Sequence, residues 1–166
     1  MTLLTLDPSI RTCKPDELVL FRPAAPQVTP NGLAVGIDST QSQMVHPHVL
    51  YVADGFGGYK YIMAVTPFPG QLATYEAPHI LACDDGKSWA AMPGNPIQAA
   101  VTVDPHLMLA PDGSKLYCYH AWGAIWVQSA TPEQFLAGTW TARTNVLTTQ
   151  EMSPSVYYDE ADGLYH

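Results

Sequence analysis

The chain has 166 residues, of which 47% are hydrophobic and only 13% are charged, and this mix is typical of a folded domain rather than a disordered chain. The formal net charge is −8 with only seven Lys and Arg, so we expect neither nucleic acid nor an anionic membrane as a partner. No run of 18 or more apolar residues is present, and Asp7 and Pro8 interrupt the apolar N-terminus. The sequence therefore predicts no membrane insertion and no signal peptide.

Residues 1 to 43 differ in composition from the rest of the chain. They hold several prolines and one short strand candidate, Leu18 to Phe21. A segment of this kind buries little apolar surface on its own. We predict an extended N-terminal arm over 1 to 43 and a folded domain over 44 to 166.

The cysteines do not form a recognisable site. Cys13, Cys83 and Cys118 are odd in number and include no C-x-x-C pair, which favours buried free thiols over a zinc site or a disulfide framework. The chain also has no P-loop and no G-x-G-x-x-G. We therefore predict no cofactor and no metal.

A hairpin pattern recurs three times after residue 43. Each copy begins with a polar residue and proline, continues with an apolar run and an Asp-Gly turn, and ends in a run that carries tyrosine. The three copies are HPHVLYVADGFGGYKYIM (46–63), DPHLMLAPDGSKLYCY (104–119) and SPSVYYDEADGLYH (153–166). A period of roughly fifty residues in strand-type units is typical of propeller blades.

The second halves of the units also match, because each adds an apolar strand, a polar turn and a strand that opens with tryptophan, Trp89 or Trp140. The turn DDGKSW resembles the Asp-box of sialidase-type propellers, with Asp84 as the turn carboxylate. We predict an all-β, five-bladed type of β-propeller, with only about two and a half four-stranded blades in this chain. Their predicted bounds are about 46–94 for blade one and 104–147 for blade two, with blade three starting at 153. Since a propeller closes with at least four blades, we expect a fragment of a longer protein; a small β-sandwich is the alternative fold.

Residues 44 to 166 resemble the platform domain of receptor-binding proteins from the tails of tailed bacteriophages. The resemblance is carried by His46-Pro47, Gly58 to Tyr61, Thr66 to Pro69, Glu76-Ala77-Pro78 and Asp85 to Trp89. It implies a homotrimer that binds a bacterial cell-surface polysaccharide without catalysis and contacts other tail proteins. It also implies a location in the virion, after synthesis in the host cytoplasm.

A weaker resemblance, in the Asp-Pro strand starts, is to family 43 glycoside hydrolases. Those enzymes place acidic residues at the heads of successive innermost strands, and glycoside cleavage needs two carboxyl groups. Here the three heads are His46, Asp104 and Ser153, with Glu151 close to the third. A hydrolase would therefore use Asp104 and Glu151; the attachment protein would have no catalytic residue, and a structural tail or baseplate domain is the third possibility.

In a propeller the first strand of each blade lines the central axis, so we expect His46, Asp104 and Ser153 to converge. The spacing of His46 and His48 puts both on one strand face, where they are either a metal pair or, as we favour, hydrogen-bonded histidines. Glu76 either faces the channel or is a solvated edge charge. The candidate ligand-binding residues are His46, His48, Tyr59, Asp104, His106, His120 and Trp122. Tyr59 and Trp122 either form an aromatic platform for a sugar ring or pack between blades.

Overall fold

The computed structural model describes residues 44–148 and 153–166, and within them nearly all regular structure is β-sheet. One four-stranded antiparallel sheet has the order β1-β2-β3-β4, and a second has the order β5-β6-β7-β8. A two-stranded hairpin, β9-β10, follows. The strands are β1 (Met44–Phe56), β2 (Tyr59–Pro67), β3 (His79–Cys83), β4 (Ala90–Ala91), β5 (Val103–Leu109), β6 (Leu116–Ala121), β7 (Ile125–Ala130), β8 (Thr144–Leu147), β9 (Tyr158–Asp159) and β10 (Leu164–Tyr165). The all-β prediction is confirmed; the predicted arm over 1–43 and Glu151 lie outside the described residues.

The first strands of both sheets carry the same irregularity at their heads. The pairing register skips between Val45 and His48 in β1, and between Val103 and His106 in β5. The bulged residues there have left-handed backbones, with φ of 53° at His46 and 52° at Asp104. This conformation is strained for a residue with a side chain, and a bulge of this kind redirects the side chain that it carries.

The two sheets pack face to face over the main hydrophobic core. Its fully buried members include Ile62 and Ile80 from the first sheet, and Leu107 and Leu116 from the second. A short helix, α1 (Pro132–Ala137), lies between β7 and β8 and adds Phe135, which is 1% exposed, to the same core. The described part of the chain contains no helix long and apolar enough to cross a membrane.

We call the two sheets the first and second units and residues 153–166, which contain the β9-β10 hairpin, the third unit. The third unit packs on the face of the second sheet that is turned away from the first sheet. Val156 packs against the cluster around Val103 and Tyr119, and Tyr165 meets Tyr117 edge-on with ring centroids 6.1 Å apart. The three units therefore follow one another in space in the same order as in the sequence.

The turn between β3 and β4 differs from its predicted form. Asp85, rather than Asp84, closes this turn, because its Oδ1 accepts hydrogen bonds from the backbone N–H groups of Lys87 and Ser88. These bonds hold the pKa of Asp85 down to about 2. Asp84 instead accepts from the backbone N–H of Lys60 in β2. Cys83 and Cys118 are buried free thiols, as predicted.

Candidate functional site

Polar side chains from all three units meet at the end of the sheets where β1 and β5 begin. The Nδ1 atom of His46 lies 3.2 Å from Oδ1 of Asp104. The hydroxyl of Ser153, which has a φ of 62°, donates a 2.7 Å hydrogen bond to Oδ2 of the same carboxylate. We call His46, Thr66, Glu76, Asp104 and Ser153 the head cluster. Asp104 is its centre, since it contacts both of the other strand heads.

The hydrogen bonds of Thr66 identify which nitrogen of His46 carries the proton. The Thr66 hydroxyl donates to the carbonyl oxygen of Val45, so it can only accept from Nδ1 of His46, which lies 3.2 Å away. Nδ1 therefore carries the hydrogen that faces Thr66 and Asp104. Among the described residues, the hydrogen bonds and ion-pair contacts of this ring all involve Nδ1. In the neutral imidazole the lone pair is then on Nε2, and the side chain is 45% exposed.

Glu76 is a buried carboxyl group beside the imidazole. Its Oε2 lies 4.0 Å from Nδ1 of His46, and its side chain is only 8% exposed. Oε2 has no hydrogen-bond partner among the described residues. Burial raises the pKa of Glu76; His46 opposes this change and Asp104 adds to it. The structure thus decides between the two predicted environments, because Glu76 faces the cluster rather than solvent.

His48 and His106 form a second layer, two residues further along β1 and β5. Their ring centroids are 4.0 Å apart. Nδ1 of His48 accepts a 3.0 Å hydrogen bond from the backbone N–H of Leu107, and Nε2 of His106 donates a 3.0 Å bond to the carbonyl oxygen of Val156. Each ring therefore joins its own unit to the next one, and both serve the packing of the units.

Tyr59 and His120 lie apart from the cluster, whereas Trp122 lies at the same end of the sheets without being part of it. Tyr59 is at the opposite end of β1 and β2, where it packs on Phe135. His120 is fully buried in the second sheet, with Nε2 3.2 Å from Oε1 of Gln128. Trp122 is 52% exposed, in the turn that follows β6.

The head cluster combines an oriented imidazole with two carboxyl groups, which suits proton transfer to and from a bound ligand. Imidazole and carboxylate groups are also common ligands of divalent metal ions. Elsewhere in the described chain, ligand atoms of Asp159, Asp162 and His166 lie within 4.8 Å of one another on the exposed hairpin. Those two aspartates also close the hairpin turn by accepting from backbone N–H groups.

Two comparisons with known proteins each found similarity to an N-acetylgalactosamine deacetylase. Over 58 residues the chain is 36% identical to an A type blood N-acetyl-alpha-D-galactosamine deacetylase of Flavonifractor plautii, a stretch that is 34% of this chain and 8% of that protein. The fold matches the crystal structure of an N-acetylgalactosamine deacetylase from F. plautii in complex with blood group B trisaccharide, with a TM-score of 0.66 at 18% identity. That match covers 78% of this chain but only 46% of the solved chain. No protein-family model matches.

These matches correct the functional predictions. The prediction of a non-catalytic phage tail attachment protein is wrong, because both matched proteins are carbohydrate-processing enzymes. The predicted tail-protein partners and homotrimer have no support from the matches, and glycoside hydrolysis is not the activity that they name. Location in a virion depended on the same resemblance and stays a prediction.

Proposed function

We propose that this protein takes part in removing the acetyl group from an N-acetylated amino sugar, with N-acetylgalactosamine in a glycan as the first candidate. The observation that carries the proposal is the head cluster, in which Asp104 and Thr66 orient the His46 ring. The fold likeness to a deacetylase and the short stretch at 36% identity support it.

We also propose that the two sheets and the hairpin are consecutive blades of a propeller, over residues 44–166, with 1–43 as an arm. Three features support this architecture. Both sheets have strands in sequential antiparallel order, their first strands are adjacent, and the same bulge starts each of those strands. In such a fold the heads of the first strands lie around the axis, which is where ligands reach the mouths of propellers.

Amide hydrolysis needs a base for the attacking water and a proton for the leaving nitrogen. In the proposed mechanism Nε2 of His46 takes a proton from water, and the water oxygen bonds to the acetyl carbon. The carbon–nitrogen bond then breaks, the imidazolium returns its proton to the nitrogen, and acetate and a free amino sugar are released. Asp104 and Glu76 lie beside Nδ1 and stabilise the imidazolium while it exists.

The proposal is tested by measuring acetate release from glycans that end in N-acetylgalactosamine. His46→Asn is the informative variant, since asparagine tolerates the left-handed backbone but is not a base. We expect it to lower kcat/KM by about 10²- to 10⁴-fold. Asp54→Asn, at an exposed position near the opposite end of β1, is the matched control and should keep wild-type activity.

Two results would overturn the proposal. One is the absence of acetate release from any N-acetylated glycan tested. The other is the appearance of new reducing ends without acetate, which would replace deacetylation by cleavage of the glycosidic bond. If His46→Asn keeps its activity but a chelator abolishes it, the water is activated by a bound metal ion and not by the imidazole.

A further inference from the structure

Two exposed aromatic side chains lie at the same end of the sheets as the head cluster. Tyr75 is 48% exposed and Trp122 is 52% exposed. Large aromatic side chains usually bury most of their surface, so exposed ones that flank a polar site suggest a role in binding.

The position of Tyr75 follows from the loop that joins β2 to β3. This loop leaves β2 after Pro67, which pairs with Met44 just ahead of the strand head at His46. Tyr75 directly precedes Glu76, whose carboxyl group is part of the head cluster. The loop is fixed by its own 3₁₀ turns, and the backbone N–H of Thr102 donates to the carbonyl oxygen of Glu76.

The position of Trp122 follows from the pairing of β5 with β6. Ala121 pairs with Val103, the residue before Asp104, so the turn that begins at Trp122 lies at the head of β5. The Trp122 backbone is fixed on both sides, since its N–H donates to the carbonyl oxygen of Ala124 and its carbonyl oxygen accepts from the Trp126 indole. The Trp122 ring, in contrast, is half exposed.

This combination of a fixed backbone and an exposed aromatic ring suits a sugar. A sugar ring has one apolar C–H face, which packs on an aromatic face, and hydroxyl groups at its edge, which stay hydrated or bind polar side chains. Because the loops are already ordered, binding would cost little conformational entropy.

We infer that Tyr75 and Trp122 form an aromatic rim that binds the sugar next to the one at the head cluster, so that the protein prefers an oligosaccharide to a free N-acetylated amino sugar. This inference rests on the proposed function for the identity of the sugar at the cluster. It adds that recognition extends to a neighbouring ring.

The test compares binding of N-acetylgalactosamine with binding of a trisaccharide that ends in it, by titration calorimetry on the whole chain. We expect the trisaccharide to bind at least about tenfold more tightly. Tyr75→Ala and Trp122→Ala should each weaken trisaccharide binding about two- to tenfold and leave monosaccharide binding unchanged. Tyr51→Ala is the matched control, since Tyr51 is 57% exposed but lies further along β1, away from the heads.

Equal affinity for the two sugars, or rim variants that bind the trisaccharide like the wild type, would overturn the inference. Circular dichroism of each variant excludes loss of folding as the cause of weaker binding. The outcome is separate from that of the proposed function, because the same titrations are repeated in the His46→Asn background, where binding is measured with little or no turnover. Weaker trisaccharide binding in the rim variants, together with no acetate release by the wild type, would support the rim and reject the deacetylase. Acetate release by the wild type, together with unchanged trisaccharide binding in the rim variants, would support the deacetylase and reject the rim.

Discussion

The rings of His48 and His106 lie 4.0 Å apart across the boundary between the two sheets. His48 accepts a hydrogen bond from the backbone of the second unit, and His106 donates one to the backbone of the third. The same position in two consecutive units thus performs the same joining role. His48 must keep Nδ1 unprotonated to accept its bond, so this junction depends on the charge of the ring.

We predict that the protein loses stability as the pH falls from about 6.5 towards 4. Burial, helped by His106, lowers the pKa of His48 to about 4, and burial lowers that of His120 to about 4 as well. Above pH 6.5 these rings are neutral in both folded and unfolded chains, so their contribution is complete. Below pH 6.5 the two histidines bind protons in the unfolded chain but stay neutral in the folded chain. The free energy of unfolding therefore falls by up to about 1.4 kcal/mol per pH unit for a fully buried ring.

Guanidinium unfolding at pH 7.5, 6 and 5 measures this effect. His48→Asn keeps an acceptor for the N–H of Leu107 but cannot be protonated, so the free energy of unfolding should vary less with pH in this variant. An unchanged pH dependence in His48→Asn would show that the junction does not sense pH.

Gly94 and Gly138 test how tightly the two sheets are joined outside the core. A Cβ atom on Gly94 would collide with the backbone of Gly138, which caps α1. Gly123 also has a positive φ, but a Cβ there would meet nothing within 4 Å. Both alanine variants carry the strain of about 1 kcal/mol for a left-handed residue, so we expect Gly94→Ala to lower Tm clearly more than Gly123→Ala. Equal Tm values in the two variants would mean that the backbones of Gly94 and Gly138 can move apart at little cost in free energy.

Phe135 should be among the most costly residues to truncate. It is 1% exposed and meets Phe56 edge-on, with centroids 5.5 Å apart, so it connects α1 to the first sheet. Phe135→Ala should cost about 3–5 kcal/mol of unfolding free energy. Leu136→Ala is the control, because Leu136 is the next residue along α1 and its side chain is 48% exposed. Similar losses in the two variants would contradict the assigned core.

Glu76→Gln should make the protein more stable at pH 7.5. Burial raises the pKa of Glu76, so the folded state loses stability as the pH rises above the ordinary value of about 4.5 and the carboxyl group ionises. Glutamine has nearly the same shape and no charge. We expect a higher Tm, by roughly 2–4 °C for each kcal/mol recovered, and a smaller gain at pH 4.5. A lower Tm at pH 7.5 would show that the carboxylate is stabilising.

The repeat and two of its three Asp-Gly turns could be predicted from the sequence because they depend on local chemistry. The Asp-Gly turns of the second and third copies have their glycine at positive φ, 71° at Gly113 and 72° at Gly163. In the first copy the prediction was wrong, because Asp54 and Gly55 lie within β1 and the turn is Gly57-Gly58.

No helix is predicted from the sequence at the segment TPEQF, residues 131–135. This segment forms α1, where Thr131 and Gln134 make a complete capping box and Phe135 enters the core of the other sheet. The packing of Phe135 on the other sheet is a long-range contact, which the local sequence does not show.

The functional prediction failed for a related reason. The residues that carried the phage resemblance, such as Gly58 to Tyr61 and Thr66 to Pro69, form a hairpin turn and strand ends. Such residues report the fold, and unrelated functions share a fold. The burial of Glu76 could not be read from its neighbours, because it depends on β1 and β5 closing over a loop distant in sequence.

The strand heads offer a final consequence. His46, Asp104 and Ser153 have nearly the same backbone conformation ahead of a proline, with φ of 53°, 52° and 62°, yet their side chains share no chemistry. The backbone thus places a side chain in the same way at each of the three positions, whichever functional group that side chain carries. Point substitutions at these three positions can exchange a base, an acid or a hydroxyl without rebuilding the scaffold, so the chemistry of such a protein can diverge faster than its fold.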